Sequence, residues 1–337
     1  MGAGGDGGGG NLKNMVIAFL VPLPSILFYL TFVRPQDDDH SGGATGSVSA
    51  WCTAHPLLLA NILFLVNVDL LFWLIGLLLN NNWLIDLYWT VIPLMLLHYF
   101  RAHPAAVANA VRSAIVVALT WVWSARLTHN YFRREEWVWG KKEDWRFSDL
   151  RGQYGETWWW MSFFAVYVSQ QMACLLMQVF LIGICLPMYA IHSSDQPMGI
   201  WDFVATVACI TGVVIAYFAD TQLHEFVTGN EKLKQVGEPT VPTLEDGLWA
   251  YSRHPNYFGE QLWWWGLYIF AWNLGQQWMF IGALVNSMCL GYVTVLVERR
   301  MLKQEHRAEA YKLYQRRTSV LIPWFRKAIP EPKQKET

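Results

Sequence analysis

Runs of about 18 or more apolar residues, repeated along almost the whole chain, constrain this sequence more than any other feature. They lie at roughly 14–33, 57–79, 83–100, 107–127, 158–190, 199–221, 256–272 and 276–297. A run of that length matches the hydrocarbon thickness of a bilayer. Inside lipid the backbone must satisfy its own hydrogen bonds, so such segments span as helices. The expected fold is an all-α integral membrane protein: a bundle of about eight transmembrane helices, within a range of about seven to ten. No strand periodicity of comparable strength and no internal repeat stands beside this pattern. Pro22 and Pro24 should kink the first run. The fifth is too long for one upright span and must tilt or leave the membrane near Pro187. The third contains Asp86 and His98.

Composition agrees. Of the 337 residues 54% are hydrophobic and 15% charged, against about 25% charged in soluble domains. The 20 tryptophans suit membrane interfaces, where one edge of the indole is wet, and Trp158–Trp160 and Trp263–Trp265 read as such belts. Cys52, Cys174, Cys185, Cys209 and Cys289 match no zinc, haem or redox spacing and read as small buried hydrophobes. No basic stripe interleaved with aromatics lies outside the apolar helices, so nucleic acid is not an expected partner.

The cations set an orientation. All but three of the 25 Lys and Arg fall in the N-terminal tail, the 128–157 loop with span-end Arg126, the 222–255 loop and the C-terminal region. The exceptions are Arg34, Arg101 and Arg112. The positive-inside rule puts the first group, and with it both termini, in the cytosol. Residues 1–13 are Gly-rich and read as a disordered tail. The run that follows lacks a cleavage pattern and reads as a first span or signal anchor. ERRMLKQEHRAEAYKLYQRR at 298–317 is helix-favouring, basic and amphipathic, and reads as a membrane-surface helix after the last span. The final Lys-Gln-Lys-Glu-Thr resembles a dilysine retrieval signal for the endoplasmic reticulum.

Three clusters could carry chemistry. In Ser252-Arg253-His254-Pro255-Asn256-Tyr257-Phe258-Gly259-Glu260, Pro255 suits the first helical position. Free N–H groups and the helix dipole there favour an anion, and Arg253 just upstream could pair with phosphate. Asn256 and Glu260 share a helix face, with Tyr257 beside them. Five unlike polar groups exceed what a helix cap needs, and polar groups at the mouth of a membrane helix are expensive unless they serve a ligand. The second cluster is Asp220 and His224, at i and i+4 near the cytosolic end of the sixth run. The third is the loop from Arg126 to Arg146, whose cations could cover the phosphates of a dinucleotide. No HExxH, paired His/Cys set, GxGxxG loop or nucleophile elbow appears, so metal, Rossmann and serine-hydrolase sites lack support.

GLWAYSRHPNYFGEQLWWWG at 247–266, ADTQ at 219–222, KKEDWRF at 141–147 and RTSVLIPWF at 317–325 together resemble the DUF1295 branch of the steroid 5-alpha-reductase-like membrane proteins. The resemblance runs from about Arg126 to Phe325. It implies a C-terminal cofactor domain (126–325) that encloses NADPH between helices open to the cytosol. The N-terminal helices (14–125) would take the substrate, and 326–337 would form a cytosolic tail. On this resemblance Asp220, Asn256, Glu260 and Arg299 contact the cofactor, and Tyr251 and Trp264 lie near its nicotinamide end. Arg146 belongs to the phosphate-covering loop. Two departures stand out. Relatives often carry Glu four residues before the aspartate of ADxQ, where this chain has Ala216. Residues 1–125 also show no clear match to the steroid-binding half of the characterised reductases. Isoprenylcysteine and phospholipid methyltransferases share a shorter RHPxYxG signature.

The expectation is an endoplasmic-reticulum membrane oxidoreductase. With NADPH it would reduce a carbon–carbon double bond conjugated to a carbonyl in a lipophilic, sterol-like substrate. Tyr131 is the expected proton donor and Tyr99 its rival. A methyltransferase using S-adenosylmethionine and a non-enzymatic lipid-binding protein are the alternatives.

Overall fold

A computed structural model describes residues 7–34, 44–168 and 181–328. The described chain is helical almost throughout. Five of its helices are long and apolar enough to cross a membrane: Gly10–Phe32, Pro56–Leu79, Ala110–Arg134, Ile200–Gln235 and Gln277–Leu302. The chain is a multi-pass membrane protein of all-α class.

Five of the eight expected runs thus have a spanning helix, and the other three differ for local reasons. The 83–100 run is two helices, Trp83–Tyr88 and Ile92–Ala102. Thr90 donates its hydroxyl to the Leu87 carbonyl, and Pro93 opens the second helix, where its missing N–H costs least. The 158–190 run is described as Trp158–Ser162, a π-helical turn Phe163–Val168 and Leu181–Ile191, with Pro187 inside the last. The residues between, Cys174 among them, lie outside the described chain. The 256–272 run is one unbroken helix, Pro255–Asn273, whose polar residues keep it from the apolar set.

Boundaries also move. The first helix begins at Gly7, so residues 7–13 extend a helix rather than form the expected disordered tail. Residues 1–6 and the Lys-Gln-Lys-Glu-Thr end lie outside the described chain. Pro22 separates Gly7–Leu20 from Leu23–Phe32. The basic 298–317 stretch breaks before Glu305. Its last helix, Glu305–Arg317, buries Tyr311 and Tyr314.

The structure forms two compact units. The first comprises Met1–Phe203 and Leu267–Val285. One apolar cluster here joins Val33, Cys52 and Leu59, with Phe28 and Tyr99 against it, and another joins Leu186, Ala190, Ala271 and Met279. Arg112, counted in the sequence among the three cations of the far side, is fully buried rather than a surface charge. Its guanidinium donates to both carboxylate oxygens of Asp202 at 2.6 and 3.0 Å and to the carbonyls of Gln196 and Pro197. Asp202 also accepts from the Gly199 N–H and from Asn273. Beside this clamp Ser113 Oγ and His192 Nε2 lie 3.0 Å apart, and Val107–Ala108 pairs in parallel with Ser193–Ser194.

The second unit comprises Val204–Gly266 and Asn286–Thr337. Its two long helices approach through small residues. A Cβ on Gly259 would come within 2.6 Å of the Gly212 carbonyl oxygen and 2.7 Å of the Ala216 nitrogen, and one on Gly266 would meet Cys209 Sγ at 2.7 Å. Ala216, fully buried, thus lies at a close backbone-to-backbone contact. Ile200–Gln235 has 36 residues, or about 54 Å at about 1.5 Å per residue. That exceeds the hydrocarbon thickness, so the helix continues well past the span expected to end at 221.

Candidate cofactor cleft

The SRHPNY segment is the centre of the second unit. Gly247, in the left-handed region at φ 59°, turns the chain against Gln222, whose Oε1 accepts from the Leu248 N–H at 3.0 Å. The Trp249 indole donates to the Ala219 carbonyl. The ADTQ sequence therefore holds the loop that enters the motif. Ser252 donates its hydroxyl to the Leu321 carbonyl and accepts from the His254 N–H. Arg253 N–H donates to the Ser319 carbonyl at 2.8 Å. The end of the chain, 315–324, is laced to the motif in this way.

Arg253 does not stand ready for a phosphate as expected. Its Nε donates to Glu298 Oε1 at 2.7 Å, Nη2 to Glu298 Oε2 at 3.3 Å, and Nη1 to the carbonyls of Gln315 and Thr318. Glu298 also meets His254 Nε2 at 3.2 Å and accepts from Gln315. This is a largely buried, fully knitted ion pair, and its physical role is to fix the loop.

Asn256 sits in the first turn of the Pro255 helix. Its Nδ2 donates to Asp220 Oδ1 at 3.1 Å, and its Oδ1 accepts from the Tyr257 N–H. One free donor of the helix start is thereby capped from within. The Tyr257 ring stacks on His254 with centroids 5.3 Å apart and planes at 13°.

These groups line a cleft of about 690 Å³. Arg253, His254, Asn256 and Tyr257 form one side. The extension of Ile200–Gln235 supplies Phe226, Asn230, Glu231 and Lys234, and the C-terminal helices supply Met301, His306, Arg307, Tyr311 and Tyr314. Burial raises the phenol pKa of Tyr311, with the charge of Glu298 adding to it, and burial likewise raises that of Tyr314. Both therefore act as neutral hydrogen-bonding groups. Tyr314 donates to the Trp249 carbonyl at 2.6 Å.

Of the residues expected from the sequence, Arg253, Asn256 and Tyr257 line this cleft, and Asp220 is buried behind Asn256. Glu260, one turn on, is half-buried and outside the lining. Trp264 is buried edge-on to Trp263. Tyr251 is exposed, its ring against Phe325. Arg299 is exposed and outside the lining, since its neighbour Glu298 is the residue that faces Arg253. Lys234, His306 and Arg307 were missed. The spacing Leu223, Phe226, Val227, Asn230, Lys234 continues a helical face and is the signal that could have found the first.

Two expected residues belong to the first unit. Arg146 is bound through Nε and Nη2 to Asp144, whose own N–H donates to Asp86 Oδ2. Burial pushes the Asp144 pKa up, but the Arg146 hydrogen bonds and charge outweigh it and hold it below the ordinary value. Tyr131 is buried, and its hydroxyl has no hydrogen-bond partner among the described residues. Tyr99, the rival, donates to the Pro56 carbonyl at 2.9 Å, so its proton is already engaged. Among the described residues no His, Cys, Asp and Glu group could hold a metal ion.

An uncharacterised protein of Schizosaccharomyces pombe, C594.04c, is 25% identical over 261 residues, covering 72% of each chain. No solved structure gives a significant match. Residues 72–318 match the family described as protein of unknown function, DUF1295. The match begins well before Arg126, so it takes in part of the N-terminal helices as well as the cleft. This protein is a member of the DUF1295 family.

Proposed function

We propose that this chain is an NADPH-dependent membrane reductase acting on a carbon–carbon double bond conjugated to a carbonyl in a lipophilic, sterol-like substrate. The observation that carries the reading is the cleft of the second unit. It combines the aromatic faces of Phe226 and Tyr257, the cations Lys234 and Arg307, and a carboxamide fixed by Asp220. Aromatic faces suit the rings of a dinucleotide, cations its phosphates, and Glu231 its ribose hydroxyls. The resemblance to steroid 5-alpha-reductase-like proteins at SRHPNYFGE supports the same assignment. NADPH, when bound, supplies the hydride.

The chain's own part is alignment and a dry site. Asn256 and Asp220 orient a polar edge at the helix start. The Arg253–Glu298 pair fixes the loop, and the phosphate role first given to Arg253 passes to Lys234 and Arg307. The buried Tyr131 hydroxyl has a proton to donate to an oxygen on which negative charge develops. A location in the endoplasmic-reticulum membrane with both termini cytosolic completes the proposal, on the strength of the cation distribution and the C-terminal sequence.

One observation favours a second reading. With Arg253 engaged by Glu298, the exposed carboxylates Glu231 and Glu238 at the cleft suit a cationic cofactor as well as a ribose. S-adenosylmethionine, as in the methyltransferases with the shorter signature, is the alternative. Titration of detergent-purified protein with NADPH, NADH and S-adenosylmethionine separates them. Saturable NADPH binding supports the reductase. Binding of S-adenosylmethionine alone replaces it, and binding of none removes both.

A further inference from the structure

Asp69 lies in the middle of the Pro56–Leu79 span and is fully buried. Neither of its carboxylate oxygens has a hydrogen-bond partner among the described residues. The same unit shows what a structural buried aspartate looks like: Asp202, equally buried, accepts from Arg112, Gly199 and Asn273. A carboxyl group with no partner contributes nothing to the fold and costs several kcal/mol to desolvate, so a fold keeps one only for another reason.

A second observation marks the same place. Asp69 sits on a π-helical turn, Leu65–Leu71, which packs against the π-helical turn Phe163–Val168. The wider turn buries three consecutive residues, Asn67, Val68 and Asp69, while Leu65, Val66 and Leu70 face outward. Isolated π-turns are rare and concentrate at functional sites. Phe64, Val68 and Phe72 on the same span and Val166 and Tyr167 on the facing turn are buried, and the Tyr167 hydroxyl already donates to Asn82 Oδ1 at 2.8 Å. Asn67, the neighbouring polar group, already donates to the Val21 carbonyl at 2.7 Å.

We infer that Asp69 is the polar anchor of a ligand site in the membrane-embedded first unit, and that it binds the hydroxyl of a lipophilic alcohol. A hydroxyl can both donate to and accept from a carboxyl group, so one hydrogen-bonded contact satisfies both partners, and an apolar wall suits the remaining hydrocarbon. A metal ion needs more oxygens than one carboxylate offers. An ammonium group needs further hydrogen bonds, and the polar groups on the two turns, Asn67 and Tyr167, are already engaged. The inference does not rest on the reading of the cofactor cleft.

The test uses intact protein in detergent and two carbodiimides, the hydrophobic dicyclohexyl reagent and a water-soluble one, with adducts located by peptide mass spectrometry. The hydrophobic reagent should modify Asp69 and the soluble one should not. Hexadecanol should slow modification about fivefold, the effect of one net hydrogen bond, whereas hexadecane should not. No modification by the hydrophobic reagent, equal modification by both reagents, or equal effects of alcohol and alkane would overturn the inference. Asp69→Leu gives a readout free of ligand. An anchor residue predicts an unchanged or higher unfolding temperature, and a lowered one would make Asp69 structural. None of these outcomes depends on NADPH binding, so this inference and the cofactor reading fail separately.

Discussion

The Asn256 amide donates to Asp220 Oδ1 across 36 residues of sequence, joining the first turn of one long helix to the buried end of the apolar part of another. Both of Asn256's polar atoms are used, one by Asp220 and one by the Tyr257 N–H. Replacing it changes the orientation of the cleft wall rather than a free surface group.

Asn256→Ala should weaken NADPH binding about tenfold, the loss of a positioned hydrogen bond, about 1.4 kcal/mol. Fluorescence titration of the variant reads this directly. An unchanged dissociation constant, with the protein folded, would remove Asn256 from the site.

Arg253 and Glu298 should matter to stability before they matter to binding. Glu298→Ala leaves Arg253 and His254 without their shared partner in a largely buried setting. The expected loss is about 3 kcal/mol. Thermal unfolding in detergent measures it. A variant as stable as wild type but unable to bind cofactor would return Arg253 to the phosphate role.

Gly259→Val should destabilise the pair of long helices by about 1–3 kcal/mol, because the side chain meets the Gly212 carbonyl and Ala216 backbone. Ala216→Glu should do at least as much. If the glutamate variant instead unfolds at the wild-type temperature, the close approach described here is wrong.

The Arg112–Asp202 pair predicts an asymmetry between single and double variants. Arg112→Ala strands a carboxylate that is fully buried, at a cost of about 3–5 kcal/mol. Arg112→Met combined with Asp202→Leu should recover much of that loss. A double variant no better than the single one would mean that the hydrogen bonds to Gln196 and Pro197, not the ion pair, dominate.

Asp144 gives a pH dependence with a definite sign. Its folded pKa lies below the ordinary value, so its contribution is complete above the unfolded aspartate pKa of about 3.9. It is lost as pH falls through the lower folded value. Unfolding temperatures of wild type and Asp144→Asn should therefore converge on going from pH 7 toward pH 3. Parallel curves over that range would show that Asp144 contributes no such linkage.

The helical membrane character and the five spans were legible because a span is a local property, set by consecutive side chains and a backbone that must bond to itself. Pro255 as a helix start and the stacking of SRHPNY polar groups near one helix mouth were legible for the same reason. What only the tertiary structure decided were pairings between distant segments. Arg253 carries a cation that sequence could assign equally to a phosphate or to a carboxylate. Glu298, 45 residues on, arrives with two oxygens at hydrogen-bond distance. Ala216, an apparent departure in the sequence, is fully buried and packs against the backbone of Gly259. The sequence Asn67-Val68-Asp69 shows one acid in an apolar run. Whether it pairs depends on what surrounds it, and an unpaired state is a property of the whole fold rather than of any segment.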